Sequence, residues 1–393
     1  MRDYLKSKIA EYSILLDWVE HEIDNLQTRS KNHCYLIECL RDKIVELREL
    51  YNHLRIITCI ENNHLYRRAL PIIHDIEYQL RVVTYYYIPT LQRENTNDLF
   101  LRSILLSTAR RCGLSWIKDL VVRLDGPHRT LPVLTEIPII YAPPQQCVSL
   151  LDMAGLYHEW GHSVFQRFKE IADNLATTVS RYFSELRQSI GPMRPEKREG
   201  RERAIEKAIN YWGVERLNEL FSDIYATFVC GPAYYFSCVD IAIRMGSNLF
   251  RTDVTDVHPP WATRVYACYK TLLPIYKSDE VIILTKNLWN TYTDIQQKHP
   301  DFDIVCASAL IDQLVDVANQ NIEQLLLPDI ERFSEPIPDS SKLKEISPLK
   351  TLENILNNRL KILLTEPRYY AEWEKNVFKI LQTQNSKIEK VEM

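Results

Sequence analysis

Two pairs of polar side chains, each spaced four residues apart, limit what this chain can fold into more than any other feature. The first pair is His158 and His162 in the run His158-Glu159-Trp160-Gly161-His162. The second is Glu219 and Asp223 in Asn218-Glu219-Leu220-Phe221-Ser222-Asp223. Residues i and i+4 share one face of an α-helix. Both imidazoles of the first pair can therefore reach one ion. Glu159, one step round the helix, can reach a water in the ion's open position. Leu220, Phe221, Ile224 and Phe228 surround the second pair, so its face should be largely buried. A buried carboxylate pair is costly unless compensated, and a divalent cation with a histidine N–H would compensate it. The sequence thus predicts two helices meeting at one metal ion.

The spacing of the first run is the H-E-x-x-H pattern of zinc hydrolases. Glu219 would complete a zinc set of His158, His162 and Glu219, leaving the fourth position for water. Asp223 would accept a hydrogen bond from a ligand imidazole and fix its tautomer. The alternative for the second helix is that its acids pair with basic side chains. Gly161 costs about 1 kcal/mol inside a helix relative to alanine, which makes sense if another element packs closely against the metal.

Composition narrows the class. A chain of 393 residues can bury a large core, and two or three domains are expected. Only 9 glycines amid long apolar-periodic stretches point to a mainly helical protein. The net charge of −4 gives no support for nucleic-acid binding or for anchoring to anionic lipid. Nine scattered cysteines, with no C-x-x-C pair, argue against a disulfide framework and for a reducing, cytoplasmic home. The N-terminus lacks a signal-peptide core, and no apolar run reaches the length of a membrane span. The nearest, Tyr225 to Ile243, is broken by Gly231-Pro232 and reads as a buried helix pair near the site.

In chain order, residues 1 to about 120 read as helical. Ile9, Ile14, Leu15, Trp18 and Ile23 are spaced for one apolar face, as are Leu36, Ile37, Leu40, Ile44 and Leu47. This bundle either scaffolds, covers a substrate cleft or docks a partner. Its histidines (His21, His33, His53, His64 and His74) read as surface or satisfied core residues. Residues 119 to 142 turn β-rich. Pro132 and Pro138 are expected to confine Thr130 to Tyr141 to a sheet edge. There an extended peptide could add as a strand, or the segment is only an irregular connector. Ser149 and Asp152 resemble a capping box, opening a helix from about Leu150 to Ile171. The charged run Arg194 to Arg203 reads as a solvated loop and helix start, or as a flap over the cleft. His258-Pro259-Pro260 should open a helix with Arg264 nearly two turns inside. Both side chains could then face the cleft as donors to an oxyanion; alternatively His258 is structural. From 265 onward the pattern is helical, including Val281 to Ile295, Ile304 to Leu327 and Leu352 to Leu364. Pro336 to Ser341 reads as a loop, and the tail from Gln382 as frayed.

These motifs resemble those of the gluzincin metallopeptidases. The second run resembles the N-E-x-x-S-D of thermolysin. His258-Pro259-Pro260 with Arg264 is similar to the H-P-x-x-x-x-R segment of the peptidase family containing HtpX and the type I CAAX prenyl protease. The resemblance covers roughly residues 130 to 275. It implies zinc on His158, His162 and Glu219, Glu159 as general base, and Asp223 hydrogen-bonded to a ligand histidine. It makes His258 and Arg264 oxyanion or substrate contacts. The separation from His162 to Glu219, 219 − 162 = 57 residues, is longer than in thermolysin. Members of the HtpX and CAAX family are commonly membrane-bound or exported, and this chain shows neither feature.

The expected fold is mainly α with a small β-sheet. A zincin-like core at 119–275 would be flanked by helical regions at 1–118 and 276–393. The expected function is a soluble zinc metallopeptidase acting on peptide or protein substrates, with a regulatory partner or a self-gating segment as restraint. The competing readings are a catalytically silent zinc-binding helical interaction protein and a non-peptidase hydrolase with the same zinc set.

Overall fold

The computed structural model describes residues 2–29, 33–60, 63–93, 96–125, 129–134, 136–142, 150, 153–189, 195–245, 249–253, 255–277, 279–294, 298, 301–326, 352–365 and 367–379. It is mainly helical with a small sheet, as the sequence predicts. By contacts the chain forms two compact units, where the sequence reading separates three regions. One comprises 1–102, 116–125 and 131–141; the other comprises 103–115, 126–130 and 142–393.

The first unit holds α1 (Arg2–Arg29), α2 (Cys34–Cys59), α3 (Asn63–Arg81), a π-helical turn (Val82–Tyr87) and α4 (Ile88–Arg93). The face expected on α2 is the one that packs: Leu36, Ile37, Leu40, Ile44 and Leu47 are all buried. On α1 the expected face is partly right, since Ile23 is buried and Ile9 and Leu15 pack against the core, but it is centred off the face that packs. Leu5, Tyr12, Leu16, Val19, Ile23 and Leu26 are buried, while Ile14 and Trp18 are 71% and 43% exposed. The buried set keeps a regular spacing of three, four or seven residues, which Ile14 and Trp18 do not share. His33 is a satisfied core histidine, 3.3 Å from Asp119 through Nδ1; Arg102 donates to the same carboxylate through Nε and Nη2 at 3.0 and 2.6 Å.

The sheet has the order β1-β3-β2, with β1 at Val121–Arg123, β2 at Arg129–Leu134 and β3 at Ile137–Tyr141. β1 and β3 run parallel, pairing Val121 with Ile139 and Arg123 with Tyr141. The segment expected at a sheet edge therefore forms two strands, and Pro138 sits in the middle one. It is the second residue of β3, ahead of the positions registered with β1, where a missing N–H is tolerated. Tyr87 Oη donates to the Ile137 carbonyl at 2.7 Å, fixing β3 to the bundle.

The second unit holds α6 (Gly155–Arg167), α7 (Lys169–Ser189), α8 (Pro195–Tyr211), α9 (Val214–Cys230) and α10 (Pro232–Met245). It continues with α11 (Trp261–Tyr276), α12 (Glu280–Thr293), α13 (Phe302–Val305), α14 (Ser308–Leu326) and α15 (Leu352–Thr365). The intervening α5 (Thr96–Arg111) spans the division between the units. The helix expected at 150–171 starts later, at Gly155, and ends at Arg167, where Phe168 turns extended. Ser149 and Asp152 lie outside the described residues, as do 336–341 and the tail from 382. The charged run is the expected helix start without the loop: residues 195–203 form the first half of α8, with Pro195 at its first position, and Arg194 lies outside the described residues. No helix among the described residues is long and apolar enough to cross a membrane.

The break expected at Gly231-Pro232 separates α9 from α10. Gly231 takes φ 74°, a left-handed backbone that glycine adopts without penalty, and Pro232 opens the next helix. Asn357 of α15 satisfies the polar groups exposed by the break. Its Nδ2 donates to the Cys230 carbonyl at 2.7 Å, and its Oδ1 accepts from Ala233 N at 2.9 Å. Asn357→Ala would leave two buried backbone groups unpaired, at about 1–3 kcal/mol each. The expected loss is roughly 2–6 kcal/mol of unfolding free energy by denaturant titration; an unchanged midpoint would contradict this role.

Candidate metal centre

The site is built on α6 and α9, the most extensively packed helix pair in the structure. Their approach is set by Gly161. A Cβ there would lie 2.5 Å from Ser222 Cα and 2.9 Å from Ser222 Cβ, closer than atoms can sit. The expectation that this glycine admits a close neighbour therefore holds, and the neighbour is the backbone of α9. This contact places residues 158–162 opposite 218–223.

Two carboxylates lie close to the paired imidazoles. Ligand atoms of His158, Glu159 and His162 lie within 4.8 Å of one another, a group that could hold a metal ion. From the facing helix, Glu219 brings Oε2 to 3.3 Å from His158 Nε2 and Oε1 to 3.5 Å from His162 Nε2. Glu219 is the better third ligand of the two. Each of its oxygens faces one imidazole nitrogen, and Oε2 is buried with no hydrogen-bond partner among the described residues. A buried carboxylate whose oxygens face two imidazole nitrogens needs positive charge beside it, which a protonated imidazole or a cation held between them can supply. The donor set of two imidazoles and one carboxylate fits a divalent metal ion.

The remaining nitrogen of each imidazole is held from behind. His162 Nδ1 lies 3.0 Å from Asn218 Oδ1 and 3.0 Å from Ser222 Oγ. His158 Nδ1 lies 2.9 Å from Asp223 Oδ1 and 3.1 Å from Tyr234 Oη. With Nδ1 carrying the proton toward these oxygens, each Nε2 lone pair turns to the centre. Asp223 is fully buried and needs strong compensation. Arg264 supplies it, donating from Nε to Oδ2 at 2.6 Å and from Nη2 to Oδ1 at 2.8 Å. Tyr234 Oη donates to Oδ1 at 2.5 Å. Arg264 itself is buried and stacks over the Trp261 ring at 4.5 Å.

These contacts shift the ionisation of His158, His162, Glu219 and Asp223. Burial works to lower the pKa of His158, but Asp223 and Glu219 outweigh it and hold it at about 10. Burial raises Glu219, and the neighbouring His158, Arg264 and His162 more than offset this, taking it down to about 2. Asp223 stays well below the usual carboxylate range: burial opposes ionisation, but Arg264 and His158 override it. His162 is lowered, first by burial and then by charge on His158.

Of the residues singled out in the sequence, His158, Glu159, His162, Glu219 and Asp223 come together as the motif spacing predicts. His258 joins them from the loop before α11. It is 49% exposed, with Nε2 3.5 Å from Glu219 Oε2. Helix α11 begins at Trp261, because Pro260 is extended (ψ 143°), so Arg264 lies in its first turn rather than two turns in. Its guanidinium faces Asp223, with Nη2 4.0 Å from Glu219 Oε2.

The sequence reading gave no role to Tyr234, Asp256 or Arg216. Asp256 Oδ1 lies 2.9 Å from His258 Nδ1 and accepts from the His258 backbone N–H at 2.9 Å. Arg216, in the first turn of α9, donates to the carbonyls of Asp253 and Asp256 and so fastens the His258 loop over Glu219. Aspartate two residues before the histidine was a usable signal for the first contact; nothing local signals the others. No protein-family model, curated protein or solved structure matches the chain.

Gly161→Ala gains helix propensity worth about 1 kcal/mol but forces α6 from α9, an overpacking cost of about 1–3 kcal/mol. A fall in melting temperature and a larger fall in divalent-cation affinity are expected; a variant with wild-type values for both would contradict the packing role. The His158 shift gives a second expectation. A raised folded pKa stabilises fully below the unfolded value and loses that effect as pH climbs through about 10. At pH 7.5 the metal-free imidazole is therefore protonated, and cation binding must displace that proton. Calorimetry in buffers of different ionisation enthalpy should show about one proton released per ion; none released would contradict the His158–Asp223 pairing.

Proposed function

We propose that the protein is a zinc metallopeptidase of gluzincin type, hydrolysing peptide bonds in peptide or protein substrates. The observation that carries this reading is the Glu219 carboxylate, which offers one oxygen to each Nε2 of the H-E-x-x-H pair. His158, His162 and Glu219 would hold the ion. When bound, zinc supplies Lewis acidity toward a carbonyl oxygen and lowers the pKa of a water.

The chain's own groups divide the remaining work. Glu159, beside both imidazoles on α6, accepts the proton of the attacking water and delivers it to the leaving amine. Asp223 orients the His158 ring, and Arg264 with Tyr234 keeps Asp223 ionised and fixed. His258 stands half-exposed above Glu219, its Nδ1 against Asp256, with Nε2 aimed toward the centre. With Nδ1–H on the Asp256 carboxylate, it is in its imidazolium form that the ring can donate through Nε2 to the oxyanion that forms as water adds to the carbonyl. Arg264, buried against Asp223, acts on the ligand shell rather than on substrate.

Glu159→Gln is expected to retain one zinc per chain and lose peptide hydrolysis by roughly 10²–10⁴-fold, the usual worth of a general base. His162→Ala is expected to lose the zinc. Hydrolysis of an unfolded protein substrate, with a chelator control, and metal analysis of both variants test the assignment. Wild-type turnover by Glu159→Gln, or full zinc in His162→Ala, would overturn it.

A further inference from the structure

A cavity of about 620 Å³ lies on the other side of α11 from the metal centre. Arg264 and Cys268 of this helix contact Asp223, whereas Thr263, Tyr266 and Tyr269 line the cavity. None of the metal-centre residues lines it. Its volume suits a drug-sized organic molecule, for which pockets run to about 300–1,000 Å³.

The lining has a distinct chemistry. Six aromatic side chains (Tyr235, Phe250, Tyr266, Tyr269, Trp289 and Phe302) form an apolar body. Two ammonium groups already stand on their faces. Lys286 lies 4.7 Å from the Tyr269 ring centroid and donates to Tyr269 Oη at 3.0 Å. Lys298 lies 5.7 and 5.9 Å from the Phe250 and Phe302 rings. Aromatic faces occupied in this way disfavour a cationic guest, because the attraction they offer is already used and the charges repel. Asp303 pairs with Lys298 at 3.3 Å. Lys286 has no ion-pair partner among the described residues, so the described lining sets two ammonium groups against one carboxylate.

We infer that this cavity is a binding site for an amphipathic monocarboxylate, its apolar body among the aromatic rings and its carboxylate on Lys286. The hydrocarbon part gains from leaving water, at roughly 25 cal/mol per Å² of apolar surface buried. The carboxylate gains a charge-assisted hydrogen bond from an ammonium that has only a phenol as partner. The inference does not rest on the metal reading.

The test is isothermal titration of the full chain with dodecanoate below its micelle concentration, with dodecylamine as the matched cation. Lys286 and Ala309 are both exposed, so their substitution leaves the core intact. The expected result is saturable one-to-one binding of dodecanoate and none of dodecylamine. Affinity should fall about tenfold or more in Lys286→Ala, the scale of one hydrogen bond to a charged group. Ala309→Trp, which places a large ring in the cavity wall, should abolish binding. Absence of saturable binding, equal binding of the amine, or unchanged affinity in both variants would overturn the inference.

Discussion

The close approach of α6 to α9 is the constraint from which the site follows. With no side chain at Gly161, the backbone of Ser222 can lie against α6, and nothing larger fits between them. That one contact sets the distance at which Glu219 meets His158 and His162. It also puts Ser222 Oγ and Asn218 Oδ1 within hydrogen-bond reach of the back of the His162 ring. The helix-propensity cost of a mid-helix glycine is small beside the placement of three metal-competent groups around one point.

Such a cluster can be buried only because its charges are arranged in alternation. Asp223 stands behind His158, Arg264 stands behind Asp223, and Tyr234 closes the remaining side. A buried carboxylate without this surrounding would be costly, by several kcal/mol. Within it, Asp223 remains ionised and can hold the imidazole in one tautomer. The loop that carries His258 is fixed by a separate device, Arg216 bonding to carbonyls of residues 253 and 256. The half-exposed imidazole above the centre and the buried support beneath it thus come from different parts of the chain. They meet because α9 carries contacts to both.

Much of this was legible in the sequence where the signal was local. The i, i+4 spacing of His158 with His162 and of Glu219 with Asp223 predicts which side chains share a face. The Gly231-Pro232 pair predicts the break between α9 and α10, and the apolar spacing of Leu36 to Leu47 predicts the buried face of α2. Legibility ended where the deciding partner is remote. Arg264 reads as a cleft residue until its partner, 41 residues earlier, is known. Tyr234 gives no pattern of its own. On α1, isoleucine and tryptophan at positions 14 and 18 drew the apolar face round the helix, whereas Tyr12 and Val19 are the ones that pack. Pro138 argues for a sheet edge by its chemistry, yet its place near the start of β3 lets it stand in a central strand.

The central claim is that two helices jointly grip one cation through two imidazoles and one carboxylate. X-ray absorption at the zinc edge of the zinc-loaded full chain tests it most directly. The account predicts one zinc per chain, with two imidazole nitrogens and at least one carboxylate oxygen at about 2.0–2.2 Å. In Glu219→Ala the carboxylate contribution should disappear while both imidazoles remain. A sulfur scatterer in the first shell, or a spectrum unchanged by that substitution, would contradict the account.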